Sequence, residues 1–148
     1  MKKAILVALS AMLLAAFALA LTGCGALEDA AALQSYDFGE DIVPSVNSVV
    51  GERKVTGVST GTSNGGQYKE YQYESATVSE DLIAYVIQGL IPGGWIATVD
   101  FNLNVVPGSG QIAIESEDEG KILLMDLSYE NGGYTIRVTK IVGTLTRN

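Results

Sequence analysis

From residue 48 onward, the alternation of apolar and polar positions predicts one element after another. Lys54 to Thr62 and Gln67 to Ser75 read as strands around Ser63-Asn64-Gly65-Gly66, where Asn-Gly supplies the two positive φ angles of a type I′ hairpin turn. Pairing outward from that turn sets Val58 opposite Tyr71 and Thr56 opposite Tyr73 on one face. Glu70, Gln72 and Glu74 fall on the other, as in a sheet with one wet side. Thr77-Val78-Ser79-Glu80 has the form of a capping box, and Leu82, Ile83, Val86, Ile87 and Leu90 give the helix after it, Ser79 to Ile91, a broad apolar stripe. Pro92-Gly93-Gly94 stops it.

The period then changes to two. Trp95, Ala97, Val99, Phe101, Leu103 and Val105 alternate with Ile96, Thr98, Asp100, Asn102 and Asn104, which predicts an amphipathic strand. Pro107-Gly108-Ser109-Gly110 turns the chain into a strand from Gln111 to Glu115, and Glu117 to Gly120 turns it again. Lys121 to Tyr129 then meets Tyr134 to Val142 across a second Asn-Gly, Asn131-Gly132. The expected fold class is α+β: an antiparallel sheet of five to six strands with one helix on one face, in the order ββα then ββββ. In the last hairpin Tyr129 faces Tyr134, Leu127 faces Ile136 and Met125 faces Val138 on the core side. Asp126 lies across from Arg137 on the outer side.

These registers also put Ile122, Leu124, Ala113 and Ile141 on the outer face, beside Asp126, Ser128, Thr135, Arg137 and Thr139. That is too apolar for a plain wet face and marks either a partner surface or a second packed layer. Tyr68 points the same way, away from Tyr71 and Tyr73, and is expected to be exposed among Glu70, Gln72 and Glu74. The candidate partner surface is therefore Ile122, Leu124, Ile141 and Tyr68, for a protein or small-molecule ligand the sequence does not identify.

At the other end, Lys2 and Lys3 precede an apolar run from Ala4 to Leu21 broken only by Ser10, and the run ends in Leu21-Thr22-Gly23-Cys24. A basic start, an apolar stretch and small residues before a cut site make a secretory signal peptide. The last four residues resemble the lipobox of bacterial membrane lipoproteins. The resemblance covers only this leader region. It implies that the Cys24 thiol is alkylated with diacylglycerol and the chain cut before it, so that Cys24 becomes the first residue, held to the outer face of the cell membrane by its lipid. An uncleaved anchor and an ordinary signal peptide are the plainer readings of the run, which is close to the roughly 18 residues a span needs. The cysteine favours lipidation, since a lone thiol in an exported chain otherwise has no partner. Residues 1–23 are thus the expected leader. Residues 24–47, acidic through Glu28, Asp29, Asp37, Glu40 and Asp41, read as a tether with a possible short helix from Ala26 to Gln34. Residues 48–148 form the single domain.

Removing the leader takes Lys plus Arg from 9 to 7, leaves Asp plus Glu at 17 and moves the net charge from −8 to −10. Such a field repels nucleic-acid phosphates and anionic headgroups, so no nucleic-acid partner is expected and membrane attachment rests on the acyl chains. The chain has no histidine, and its single cysteine is assigned to lipid. This removes Ser/His/Asp and Cys/His arrangements, imidazole metal sites, disulfides and Fe–S ligation, and no cofactor is expected.

Three motifs resemble sites. Gly108-Ser109-Gly110-Gln111-Ile112-Ala113 fits the dinucleotide pattern G-x-G-x-x-A, but that pattern must open a helix and here it opens a period-two strand. Glu115, Glu117, Glu119, Gly120 and Asp126 fall on positions 1, 3, 5, 6 and 12 of a calcium loop, with the short and long acids reversed from the usual order. A solvated hairpin tip explains them better than a weak Ca²⁺ site. Asp100, Asn102 and Asn104 share one side of the predicted strand and read as its surface. Most of Tyr68, Tyr71, Tyr73, Tyr85, Trp95, Tyr129 and Tyr134 are expected in the core. The function expected is that of a lipid-anchored, non-enzymatic binding or interaction domain. The alternative is a small envelope hydrolase using a carboxylate or Ser/Lys pair, recognisable by two close acids of raised pKa.

Overall fold

The structure, a computed structural model, describes residues 24–146. The leader and the lipobox residues Leu21, Thr22 and Gly23 lie outside the described residues. Among the described residues, eight strands and three helices run in the order α1 (Cys24–Ala32), β1 (Ser35–Phe38), β2 (Asp41–Pro44), α2 (Val46–Val50), β3 (Lys54–Ser63), β4 (Gly66–Glu74), α3 (Val78–Ile83), β5 (Ile96–Val99), β6 (Gly108–Glu115), β7 (Lys121–Glu130) and β8 (Gly133–Val142). Helix α3 continues through π-helical turns over Ala84–Leu90 and a 3₁₀ turn over Ile91–Gly93. The fold is α+β. Six strands form one antiparallel sheet in the order β3-β4-β8-β7-β6-β5, and β1-β2 form a separate hairpin.

Both Asn-Gly turns pin the registers expected of them. Tyr129 pairs with Tyr134, Leu127 with Ile136, Met125 with Val138 and Asp126 with Arg137. In the first hairpin Val58 pairs with Tyr71 as expected, but a bulge between Val55 and Gly57 brings Val55, not Thr56, opposite Tyr73. An extra residue in one strand moves the side chains beyond it to the opposite face, so Val55 is buried and Thr56 exposed.

The tether expectation for residues 24–47 is corrected. A six-stranded sheet is about 24 Å wide at roughly 4.8 Å per strand, and a helix with its side chains covers only about 10 Å. One helix leaves half the inner face bare. The segment before β3 supplies the missing cover: Ala30, Tyr36, Phe38, Val43 and Val46 join the same buried cluster as Leu82, Tyr85, Val86 and Leu90 of the α3 region. The Tyr36 ring stacks on Tyr71 with centroids 4.4 Å apart, and the Tyr36 and Tyr73 hydroxyls hydrogen bond to each other. The Tyr85 hydroxyl donates to the Pro44 carbonyl at 2.7 Å.

Two further expectations change. The capping box does not form: the Thr77 side chain makes no cap bond and donates to Asp81 Oδ1 at 3.1 Å instead. The strand expected from Trp95 to Val105 ends at Val99, and β6 starts at Gly108, where a turn was expected. The β5-β6 register shifts between Ala97 and Val99. Beyond it Asn102 makes a turn, receiving the Val105 amide on its carbonyl at 3.1 Å and the Asn104 amide on its side chain at 3.0 Å. Phe101 occupies the space that a side chain on Gly110 would fill.

Candidate functional site

Helix α3 sets the geometry of an open apolar groove. Its first turns bury Leu82 as the stripe predicts, but the i to i+5 bonding after Ile83 rotates later side chains away from their α-helical positions. Tyr85 and Leu90, five residues apart, both turn fully inward, while Ile87 is 57 % exposed. Gly89 lets this wider helix lie close to α2, because a Cβ there would stand 2.7 Å from Val49. Ile91, at the start of the 3₁₀ turn, is 42 % exposed.

Facing these residues is the loop that replaces the second half of the expected strand. A groove of about 420 Å³ lies between helix and loop, with Ile83, Val86, Ile87 and Ile91 on one wall and Phe101 and Leu103 on the other. Ala97 and Ile112 form its floor, and Asp100, Asn102 and Asn104 edge it. An apolar cleft with a few polar groups at the rim, at the small end of the ~300–1,000 Å³ range, is the usual form of a binding site. The sequence pattern does not show it, because its periods put Ile87 in the core stripe and Phe101 to Val105 in a strand. Asp100, Asn102 and Asn104 are exposed, as surface positions of the expected strand would be, and they edge this groove.

The outer-face residues are brought together as expected. Tyr68, Thr139, Leu124, Ala113 and Ile96 stand in register across five strands, and Ile122 pairs with Ile141 beside them. They are only partly open. Ala113 is fully buried, Ile122 is 7 % exposed, and Leu124, Ile141 and Tyr68 are half-buried. The chain end covers one margin: the Gly143 amide donates to the Gly120 carbonyl at 2.9 Å and the Leu145 amide to Glu115 Oε1 at 2.8 Å. Tyr68, expected to be exposed, lies 4.6 Å under the Arg137 guanidinium, and that guanidinium binds Glu70 at 2.6 Å. Arg137 therefore pairs with Glu70 of β4; Asp126, its register neighbour, accepts instead from Gln111 Nε2 at 2.8 Å.

The acids of the calcium-like stretch are dispersed. Glu115 holds the Leu145 amide, Asp126 is taken by Gln111, and among the described residues no group of three or more acidic or thiol side chains is gathered for a metal. The turn after β6 is not a free tip. Asp41 accepts from Ser116 Oγ and the Glu117 amide, both at 2.7 Å, and from Lys140 Nζ at 2.7 Å. Lys140 also binds Asp118 at 2.6 Å and the Phe38 carbonyl at 3.2 Å. Burial pushes the Asp41 pKa up, but the bonds from Lys140, Ser116 and Glu117 outweigh it and hold it below the ordinary value. Asp118 is also lowered, by Lys140. Burial lowers the Lys140 pKa, yet its two carboxylates outweigh that and raise it.

A second hub sits at the start of α3. Asp81 accepts from Arg53 Nε at 2.7 Å and Nη2 at 2.8 Å, from Ser75 Oγ at 2.7 Å, from Thr77 and from the Tyr134 hydroxyl at 3.1 Å. Burial raises its pKa, but Arg53, Ser75 and Thr77 overcome this and the net shift is downward. No helix among the described residues is long and apolar enough to cross a membrane. No protein-family profile, curated protein sequence or solved structure matches the chain.

Proposed function

We propose that the protein is a lipoprotein anchored by Cys24 to the extracytoplasmic face of the cell membrane, with a body that acts as a non-enzymatic binding module. The single observation that carries the anchor is Leu21-Thr22-Gly23-Cys24 at the end of the apolar run. Because α1 begins at Cys24 and Ala30 within it is buried, the lipid would join the body almost directly, without the spacer the acidic composition suggested.

The ionisation of the two acid hubs supports binding over hydrolysis. A Ser/Lys dyad needs a neutral lysine as base, whereas Lys140, which shares Asp41 with Ser116, is held protonated by two carboxylates. A carboxylate pair needs one acid of raised pKa, and Asp41, Asp81 and Asp118 are all shifted down. The apolar groove beside α3 offers the open surface a binding module uses.

The test is Cys24→Ala with metabolic labelling by an alkyne fatty acid. The parent should incorporate label, lose its leader and stay with membranes until detergent is added, since two or three acyl chains at about 0.8 kcal/mol per CH₂ anchor it firmly. The variant should take no label and keep its leader. A variant that is labelled and processed like the parent would overturn the anchor.

A further inference from the structure

We propose that the groove between α3 and the 100–106 loop binds the apolar side of a basic amphipathic peptide segment. The inference rests on the reading of the body as a binding module, and it adds the place and the partner chemistry.

Three observations converge on it. The groove runs along the helix: Ile83, Val86, Ile87 and Ile91 line one wall over more than two turns, with Ile87 and Ile91 57 % and 42 % exposed. An elongated open strip suits a helix laid in a groove with side chains at i, i+3, i+4 and i+7 better than it suits a small enclosed molecule. The rim supplies one sign of charge, since Asp100 stands at the groove edge and makes no ion pair among the described residues.

The third observation concerns the cations among the described residues. Arg53 binds Asp81, Lys54 binds Glu74, Lys121 binds Asp118, Arg137 binds Glu70 and Lys140 binds Asp41 and Asp118. Lys69 donates to the Asp37 carbonyl and lies over Phe38. Each described cation therefore already has an acidic or carbonyl partner within the chain, and the surplus charge is acidic. With a net charge of −10 after leader removal, a second copy of the chain and an anionic bilayer are both repelled, whereas a cationic segment is steered in.

The test uses the mature lipoprotein in phosphatidylcholine nanodiscs. Two designed helices are titrated by calorimetry, with leucines at identical i, i+3, i+4 and i+7 positions and either lysines or glutamates elsewhere. The lysine helix should bind at one site per protein and weaken as salt rises, and the glutamate helix should bind about tenfold more weakly or not at all. Ile87→Asn should reduce lysine-helix binding about tenfold with little change in melting temperature, and Asp100→Asn should reduce it severalfold. Equal binding of the two helices, or an Ile87→Asn variant that binds like the parent, would overturn the proposal. An environment-sensitive dye on Ile87→Cys covers the remaining alternative: a blue shift on anionic nanodiscs without peptide would assign the surface to lipid and also overturn it. If lipidation at Cys24 fails, the titration runs on the soluble chain, and if the titration fails, the lipid label is untouched, so the two readings fail separately.

Discussion

The outer sheet face and the α3 groove carry the same kinds of side chain, isoleucine, leucine and alanine beside asparagine, threonine and aspartate, but the chain treats them differently. On the outer face the apolar residues fill one another's gaps across the strands. Ala113 is buried between Leu124 and Ile96, its register neighbours, the Arg137 guanidinium covers Tyr68, and the chain end passes over the Ile122 margin. At the groove, Ile87 and Ile91 lean outward and face only a loop. The contrast teaches that apolar count along a strand does not locate an open apolar surface. What matters is whether neighbouring elements complete the packing, and a π-helical segment is a place where they do not.

Four expected outcomes would break or sharpen that contrast. Largest is Ile122→Ala, which empties a site 7 % exposed and should cost about 2–4 kcal/mol, read as a lower denaturant midpoint. A loss under about 0.5 kcal/mol would make the outer face an open surface again.

Next comes acid. Asp41, Asp118 and Asp81 have lowered folded pKa values, so in the unfolded chain they take up protons first, near pH 3.9. Their contribution is fully present above that value and is lost as pH falls through the lower folded pKa values. The melting temperature should therefore hold down to about pH 4 and then drop. Asp41→Asn should flatten the drop, because it removes one of the three carboxylates whose protonation drives it.

Truncation after Val142 should cost about 1 kcal/mol through the Gly143 and Leu145 backbone bonds and should raise the solvent exposure of Ile122. The smallest effect is Ile87→Thr. At 57 % exposure it should change stability by no more than about 0.5 kcal/mol, measured by the same denaturant curve.

Much of the sheet was legible because its information is local. Asn64-Gly65 and Asn131-Gly132 set two hairpin registers by turn chemistry alone, and the apolar run from Leu82 to Leu90 placed the helix. The misses came where distant residues decide. Tyr36, Phe38 and Val43 alternate as a strand pair does, but the acids between them read as solvation. Only the width of the sheet shows that they are needed as cover. The alternation from Trp95 to Val105 is genuine, yet Phe101 lies over Gly110 and the pairing slips before Val99. The groove was hidden for the same reason, since a stripe read with an α-helical period puts Ile87 inside and Tyr85 aside, and the wider turns reverse them.

The most direct test of the open groove is a comparison of isoleucine methyl groups in the folded protein. With isoleucine δ-methyl labelling, a soluble nitroxide added to the protein should broaden the Ile87 and Ile91 signals strongly while leaving Ile122, with Ile112 and Ile136 of the core, nearly unchanged. Strong broadening at Ile122 together with protection of Ile87 and Ile91 would contradict the account, placing the open apolar surface on the outer face of the sheet.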